Sequence, residues 1–192
     1  MGLDINTKVC TDLSFQKGIN VYCRDATTVD DSFLDQFGTF DIIIDDASHD
    51  SIHITRTFEK LFPILKVGGL YIVEDVQESY KDHNHGGLKA MHSTMEYFKG
   101  LTDLINFYYI PSSEQTMFES DYLSIYGSKN LNYFVTWIKS VLFTEVLIIV
   151  AKRSTERSGF SKNCLTGKKS LVEFFHPDLK AKMRCFDERI LL

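Results

Sequence analysis

The chain has 192 residues, of which 44% are hydrophobic and 24% are charged, and these values are typical of one soluble globular domain. The 15 Phe and 9 Tyr supply a core, whereas only 3 Pro and 11 Gly disfavour a collagen-like or disordered chain. A net charge of -5 disfavours phosphate binding over the whole surface, so nucleic acid is not the favoured partner.

Short β-rich runs alternate with amphipathic segments over most of the chain, a pattern typical of βα units on a largely parallel sheet. Strands are predicted at residues 1–5, 19–24, 40–45 and 70–74. The last two runs are almost entirely apolar, as expected of central strands that are covered on both faces. Apolar residues at helical spacing predict a helix between them that ends at Gly68 and Gly69, which makes residues 40–74 one βαβ unit.

Further along the chain, residues 87–107 have the apolar spacing of a helix, and residues 135–143 and 145–152 are predicted as strands. Such a tight connection requires an antiparallel hairpin, so the predicted sheet is mixed. We expect residues 1–153 to form the domain and residues 154–192 a basic extension. The extension is either solvated or docked on an acidic partner or nucleic acid.

Four cysteines, Cys10, Cys23, Cys164 and Cys185, form no CxxC pair and no zinc-finger spacing, which predicts reduced and mostly buried thiols. The first residues lack the apolar core of a signal peptide, and no apolar run has the length of a membrane span. These features predict no membrane association and a cytoplasmic location.

Acidic residues follow four predicted strands, at Asp4, Asp25, Asp45-Asp46 and Glu74-Asp75. A single acid at a strand end is usually a helix cap or a solvated loop residue. Ligands of open parallel sheets, however, bind beyond the carboxyl ends of the strands. Acidic residues at all four strand ends therefore predict a ligand site.

Asp46, Glu74 and Asp75 follow neighbouring predicted strands, so their carboxylates are expected to converge. Crowded carboxylates repel unless a cation lies between them, and an all-oxygen set favours a hard ion such as Mg²⁺. The alternative is that Asp46 caps the following helix and Asp75 points to water. The residues alone leave both interpretations open.

His49 and His53 lie in the run HDSIH, which resembles the zinc motif HExxH, but its acid is Asp and its first His follows a strand. A zinc site is therefore not predicted. His49 comes three residues after a predicted metal ligand and has an ordinary pKa close to neutrality, which favours a general base over a purely structural histidine.

The runs DDASH (residues 45–49) and GGLYIVED (residues 68–75) carry a resemblance. They resemble the hallmark DDGSH and GGxYxxED motifs of metal-dependent sugar O-methyltransferases of macrolide tailoring and of cephalosporin hydroxylase-like proteins. These are class I S-adenosylmethionine-dependent methyltransferases with a Rossmann-like α/β fold. Ala47 replaces the usual Gly, and the resemblance extends more weakly from Gly2 to Lys152.

The resemblance implies that Asp46, Glu74 and Asp75 bind Mg²⁺ and that His49 removes the proton of a sugar or other small-molecule hydroxyl. The alkoxide then attacks the sulfonium methyl directly. The resemblance also implies which residues contact S-adenosylmethionine. Asp4 is assigned to the ribose, Asp25 and Ala26 to the adenine, and Asp45 to the methionine part.

The family's first strand and glycine-rich loop precede the GxDI strand, whereas this chain begins at GLDI (residues 2–5), so that first strand is expected to be missing. Two hypotheses follow from this departure. The chain is a Mg²⁺- and S-adenosylmethionine-dependent O-methyltransferase, or it is a non-catalytic remnant or partner-binding module. A homo-oligomer or a completing partner chain is also compatible with the sequence.

Overall fold

A computed structural model describes residues 1–14, 17–126 and 130–157. Its strands are β1 Gly2–Asp4, β2 Val21–Cys23, β3 Phe40–Asp45, β4 Leu65–Val73, β5 Ile138–Phe143 and β6 Ile148–Lys152. Its helices are α1 Thr7–Ser14, α2 Asp31–Leu34, α3 Ser51–Leu61, α4 Thr94–Ile105, α5 Ser112–Tyr126 and α6 Leu131–Trp137. Most of the predicted extension, together with Cys164 and Cys185, lies outside the described residues.

The strands form two sheets. β1 pairs in parallel with β2, with Leu3 opposite Tyr22. The larger sheet has the order β3-β4-β6-β5, in which β3 and β4 are parallel and β6 is antiparallel to both of its neighbours. The predicted α/β fold, with a mixed sheet and a C-terminal antiparallel hairpin, is therefore confirmed.

Aromatic side chains pack α3 onto the larger sheet. The Phe58 ring lies 5.0 Å from the Tyr71 ring of β4, 5.0 Å from Phe98 of α4 and 5.1 Å from Phe62. All four side chains are fully buried, and each such burial contributes about 1.5–3 kcal/mol relative to an exposed side chain. This core fixes the position of α3, and with it the loop between β3 and α3.

Lys152 ties the end of β6 to the segment that joins α3 and β4. Its Nζ donates to the carbonyl oxygens of Phe62, Pro63 and Leu65 at 3.3, 2.9 and 2.6 Å. Only 5% of the residue is exposed, and burial lowers the pKa of Lys152 to about 8. The charged amine thus donates to three carbonyl groups at and just beyond the end of α3.

The predicted end of α3 at Gly68 and Gly69 is wrong. The helix ends at Leu61, and β4 begins at Leu65, so both glycines lie inside the strand. Gly68 has a φ of 79°, and a Cβ on Gly69 would lie 2.7 Å from the Asp41 carbonyl oxygen. The glycines therefore permit a close approach of β4 to β3, which the pattern of apolar residues does not reveal.

Two other predicted boundaries shift, and two helices were not predicted. The helix expected from residue 87 begins at Thr94, where the Ser93 hydroxyl accepts a hydrogen bond from the Glu96 amide. The strand expected from residue 135 begins at Ile138, because α6 continues to Trp137. Helices α5 and α6 occupy a region that had been expected to be a loop.

Among the helices described, none is both long and apolar enough to cross a membrane.

The expectation of reduced thiols is wrong for Cys10 and Cys23, which form a disulfide between α1 and β2. Their Cα atoms lie 5.8 Å apart, a separation within the usual range for this bond. The packing of α1 beside β2 creates this proximity, which a spacing of 13 residues does not encode in any motif.

Candidate functional site

The carboxyl ends of β3 and β4 meet at one edge of the larger sheet. Asp45 pairs with Val73 in the parallel register, and the Glu74 amide donates to the Asp45 carbonyl at 3.0 Å. The residues that follow each strand, Asp46 on one side and Asp75 on the other, therefore enter the same space. This is the convergence of strand ends that the sequence predicts.

Asp46, His49 and Asp75 form a compact cluster, in which one possible ligand atom from each residue lies within 4.8 Å of the others. His49 Nε2 is 3.7 Å from Asp75 Oδ2. Asp46 is exposed, and the other two residues are partly buried. Glu74, the third predicted carboxylate ligand, does not belong to this cluster.

Two of the three cluster residues have a left-handed backbone, with a φ of 54° at His49 and 52° at Asp75. Residues other than glycine rarely adopt this conformation, which costs about 1–3 kcal/mol at each position. His49 lies four residues after the end of β3, and Asp75 lies two residues after the end of β4. Backbone strain of this kind concentrates at functional sites.

Asp50, and not Asp46, caps helix α3. Its Oδ1 accepts hydrogen bonds from the amides of Ile52 at 2.9 Å and His53 at 3.3 Å. Its Oδ2 lies 2.7 Å from Nδ1 of His85, which belongs to the loop that follows β4. The interpretation of Asp46 as the helix cap is therefore wrong, and the Asp46 carboxylate remains available to a ligand.

A cavity of about 800 Å³ opens between β1 and β3. It is lined by all four residues that the resemblance assigns to the cofactor, Asp4, Asp25, Ala26 and Asp45. Asp46 also lines the cavity, so this one side chain belongs to both the cavity and the acidic cluster. The volume lies within the range of about 300–1,000 Å³ that is usual for small-molecule sites.

Asp45 lies in the buried wall of this cavity. Burial raises its pKa to about 6, although the Tyr71 hydroxyl donates to Oδ2 at 3.0 Å and opposes this rise. Tyr71 is fully buried, so its ring and hydroxyl hold the carboxyl group in one position. The sequence analysis did not identify this role, although Tyr71 lies within the GGLYIVED run.

The two acids of the smaller sheet shape the turns that follow their strands. Asp25 Oδ1 accepts hydrogen bonds from the hydroxyl and the amide of Thr27, at 2.7 and 2.9 Å, and these bonds lower the pKa of Asp25. Asp4 Oδ1 accepts from the Asn6 amide at 2.7 Å. Each carboxylate keeps a second oxygen for a ligand while the first one orders the loop.

His53 and Ser48 also line the cavity, and the sequence analysis assigned no role to either of them. His53 was recognised only as the second histidine of HDSIH. Its position in the cavity depends on how α3 packs against the sheet, and no spacing rule predicts that position.

Short segments of the chain match curated sugar O-methyltransferases. The chain is 56% identical over 46 residues to the 8-demethyl-8-alpha-L-rhamnosyl tetracenomycin-C 2'-O-methyltransferase of Streptomyces olivaceus. It is 35% identical over 94 residues to the L-olivosyl-oleandolide 3-O-methyltransferase of Streptomyces antibioticus. These matches span 12% and 24% of the relatives' own lengths. No family model matches the chain.

The structure is similar to MycE, a methyltransferase of the mycinamycin biosynthetic pathway, solved in complex with Mg, SAH and mycinamycin VI. The TM-score is 0.62 at 28% identity, and the match covers 79% of this chain and 36% of the MycE chain. These likenesses confirm the predicted methyltransferase fold and the predicted resemblance to sugar O-methyltransferases.

Proposed function

We propose that this chain carries the catalytic core of an S-adenosylmethionine-dependent, Mg²⁺-assisted O-methyltransferase that acts on a sugar or another small-molecule hydroxyl. The observation that carries the proposal is the shared side chain Asp46, which lines the cavity and belongs to the acidic cluster. A methyl donor in the cavity and a hydroxyl at the cluster would then be neighbours, as direct transfer requires.

The donor chemistry of the cluster fits Mg²⁺. Asp46 and Asp75 offer carboxylate oxygens, the ligands that this ion prefers, and neither takes part in capping α3. The resemblance adds Glu74 as a third oxygen ligand. Once bound, the ion would offset the carboxylate charges and lower the pKa of a nearby hydroxyl.

We assign the general base to His49. Its Nε2 lies beside Asp75 rather than inside the core, and its side chain is 30% exposed, so an acceptor hydroxyl has access to it. In the proposed step the hydroxyl proton moves to His49 and the oxygen forms a bond to the methyl carbon. The carbon–sulfur bond breaks, and its electron pair returns to sulfur to leave a thioether.

The cavity walls fit a cationic nucleoside cofactor. Four carboxylates, those of Asp4, Asp25, Asp45 and Asp46, line the cavity, and S-adenosylmethionine has a positive sulfonium centre, a positive amino group and ribose hydroxyls. We assign Asp4 to the ribose, Asp25 with Ala26 to the adenine and Asp45 to the methionine part. The apolar side chains of β3, such as Ile42 and Ile44, offer contact to the flat base.

A second candidate, a non-catalytic partner-binding module, is favoured by one observation. Ile42 and Ile44 of β3, an edge strand of the larger sheet, are 55% and 58% exposed, and exposed apolar side chains on an edge strand are typical of an interaction surface. A partner segment that covers them would complete the apolar face. Under this hypothesis the cavity binds a polypeptide and has no affinity for a nucleoside.

Isothermal titration calorimetry with Mg²⁺, S-adenosylmethionine and S-adenosylhomocysteine separates the two candidates. The enzyme hypothesis expects saturable binding of the ion and of both nucleosides. Asp46→Asn should lose most of the Mg²⁺ affinity, whereas Asp103→Asn, an exposed acid on α4, should retain it. An ion affinity that is equal in all three proteins would refute the assigned metal site.

Methyl transfer itself is measured with radiolabelled S-adenosylmethionine and a panel of glycosides. Product should form only with Mg²⁺ present, and chelation with EDTA should stop the reaction. Nucleoside binding without transfer to any acceptor, at every Mg²⁺ concentration, would refute the proposed methyl transfer, whereas the absence of nucleoside binding would support the non-catalytic alternative.

A further inference from the structure

His49 and His53, near the start of α3, lie in two different parts of the site. His49 lies in the acidic cluster, with its Nε2 3.7 Å from Asp75. His53, one helical turn later, lies in the wall of the cavity together with Ser48. His49 has a left-handed backbone and precedes α3, whereas His53 lies within the helix.

The contacts of Ser48 assign the proton of the His53 ring. Ser48 Oγ lies 2.9 Å from His53 Nδ1 and accepts a hydrogen bond from the Asp50 amide at 3.4 Å. A serine hydroxyl has a single proton to donate, and within the described part of the chain His53 Nδ1 is the acceptor in reach of it. With this hydroxyl as the donor, Nδ1 accepts and the neutral ring carries its proton on Nε2.

The Nε2–H group supplies a donor, beside the guanidinium of Arg24, to a cavity whose charged lining otherwise consists of carboxylate acceptors. Asp4, Asp25, Asp45 and Asp46 contribute carboxylate oxygens. The hydroxyls of Thr27 and Ser48 are already engaged, the first with Asp25 and the second with His53. Adenosine has several acceptor atoms, on its base and on its ribose, and each of them needs a donor when buried.

His53 and Asp25 line the same cavity, and the His53 ring is close enough to Asp25 to interact electrostatically with its carboxylate. Under the proposed function Asp25 borders the adenine, so the ring of His53 faces the nucleoside half of the cofactor.

We propose that His53 is a binding residue for the cofactor, with Nε2–H donating to an acceptor atom of the adenosine and Ser48 holding the ring in the required tautomer. This inference rests on the proposed function, because it takes the cavity as the cofactor site. It also separates the roles of the two histidines: His49 acts at the cation and the acceptor, and His53 acts at the nucleoside.

The first test compares the affinity for S-adenosylhomocysteine among variants by calorimetry. His53→Ala should raise the Kd about 5- to 100-fold, the usual effect of leaving one buried acceptor without its donor. His53→Gln restores an N–H donor and should recover part of the affinity. His92→Ala, which removes an exposed histidine outside the cavity, should leave the Kd unchanged.

The Mg²⁺ affinity of His53→Ala should stay within about twofold of the parent, since the metal cluster is intact. A merely structural role for His53 would instead weaken the binding of both ligands and lower the melting temperature.

The second test uses the parent protein and does not depend on the folding of any variant. The ¹⁵N shifts of the imidazoles report the tautomer and the environment of each ring. The His53 signals should show a proton on Nε2 and should move on addition of S-adenosylhomocysteine but not of Mg²⁺, while His49 should respond to Mg²⁺.

The outcomes distinguish this inference from the proposed function. If the parent binds S-adenosylhomocysteine and His53→Ala binds it equally well, the role of His53 is wrong and the proposed function stands. A proton on Nδ1 of His53 overturns the assigned tautomer. If the parent binds neither nucleoside nor ion, the proposed function fails and the inference fails with it.

Discussion

Replacing Asp45 with Asn should stabilise the protein at neutral pH while it weakens the proposed cofactor site. Asp45 is only 6% exposed, and burial raises its pKa from the ordinary value of 3.8 to about 6. At neutral pH the folded protein therefore contains a buried carboxylate that would be better solvated in the unfolded chain. An amide of the same shape avoids this cost and keeps an oxygen that accepts the hydrogen bond of Tyr71.

The magnitude follows from the linkage between proton binding and folding. At pH values between 3.8 and about 6, the folded state binds more protons at Asp45 than the unfolded state does. The free energy of unfolding therefore falls as the pH rises through this range. A rise from 3.8 to about 6 corresponds to roughly 3 kcal/mol at neutral pH. The destabilisation of the folded state by Asp45 is about 1 kcal/mol at about pH 4.5. The difference in free energy of unfolding between Asp45→Asn and the parent should therefore grow by about 2 kcal/mol up to about pH 7.5.

Urea unfolding, followed by circular dichroism in EDTA at the two pH values, measures this advantage. The exposed Asp103→Asn variant is the control and should show no comparable dependence on pH. The affinity for S-adenosylmethionine should fall in the Asp45→Asn variant although its stability rises, as expected where function maintains a destabilising group. A stability difference that is independent of pH, or one that favours Asp45 more strongly at higher pH, would refute the reasoning.

Three further predictions concern other parts of the molecule. His49→Ala should lower turnover by roughly 10²- to 10⁴-fold with nearly unchanged binding of S-adenosylmethionine, as measured by steady-state kinetics and calorimetry; a near-parental rate would exclude it as the base. Lys152→Met should cost about 2–4 kcal/mol in urea unfolding, because three carbonyl oxygens lose their charged donor, whereas the exposed Lys139→Met should cost little. Reduction of the Cys10–Cys23 disulfide should destabilise the parent by about 3 kcal/mol through the short loop that it closes, and the double Cys→Ser variant should not respond to dithiothreitol.

Local patterns were sufficient to predict the βαβ unit of residues 40–74 and the hairpin. The prediction that β3 is a central strand covered on both faces is wrong, because β3 is at the edge of the larger sheet and its Ile42 and Ile44 are exposed. We can identify the apolar runs of β3 and β4 and the helical spacing of α3 from the sequence alone, because these patterns depend only on residues that are near each other in the chain. The tight connection between β5 and β6 permits only an antiparallel pair. The convergence of Asp46 and Asp75 then follows from the general rule that parallel strands end at one edge of a sheet.

Element boundaries depended on contacts between segments that are distant in sequence. Gly68 and Gly69 have the residue type of a helix terminator, yet they lie inside β4, because the Asp41 carbonyl of the neighbouring strand approaches too closely for a side chain. Helices α5 and α6 were not predicted. The burial of Leu131, Phe134 and Val135 against the core stabilises α6 and delays the start of β5.

The details of the site were decided by the tertiary structure. The sequence by itself named the acids and the histidines that follow the strands, since their types and positions carry that information. It did not determine which side chain caps α3, which histidine faces the cavity, or that Cys10 and Cys23 form a disulfide. The disulfide depends on the packing of α1 beside β2, and the cap and the cavity histidine depend on how the segment between β3 and α3 lies against the rest of the fold. His49 adopts a left-handed backbone, and the surrounding packing maintains that strained conformation.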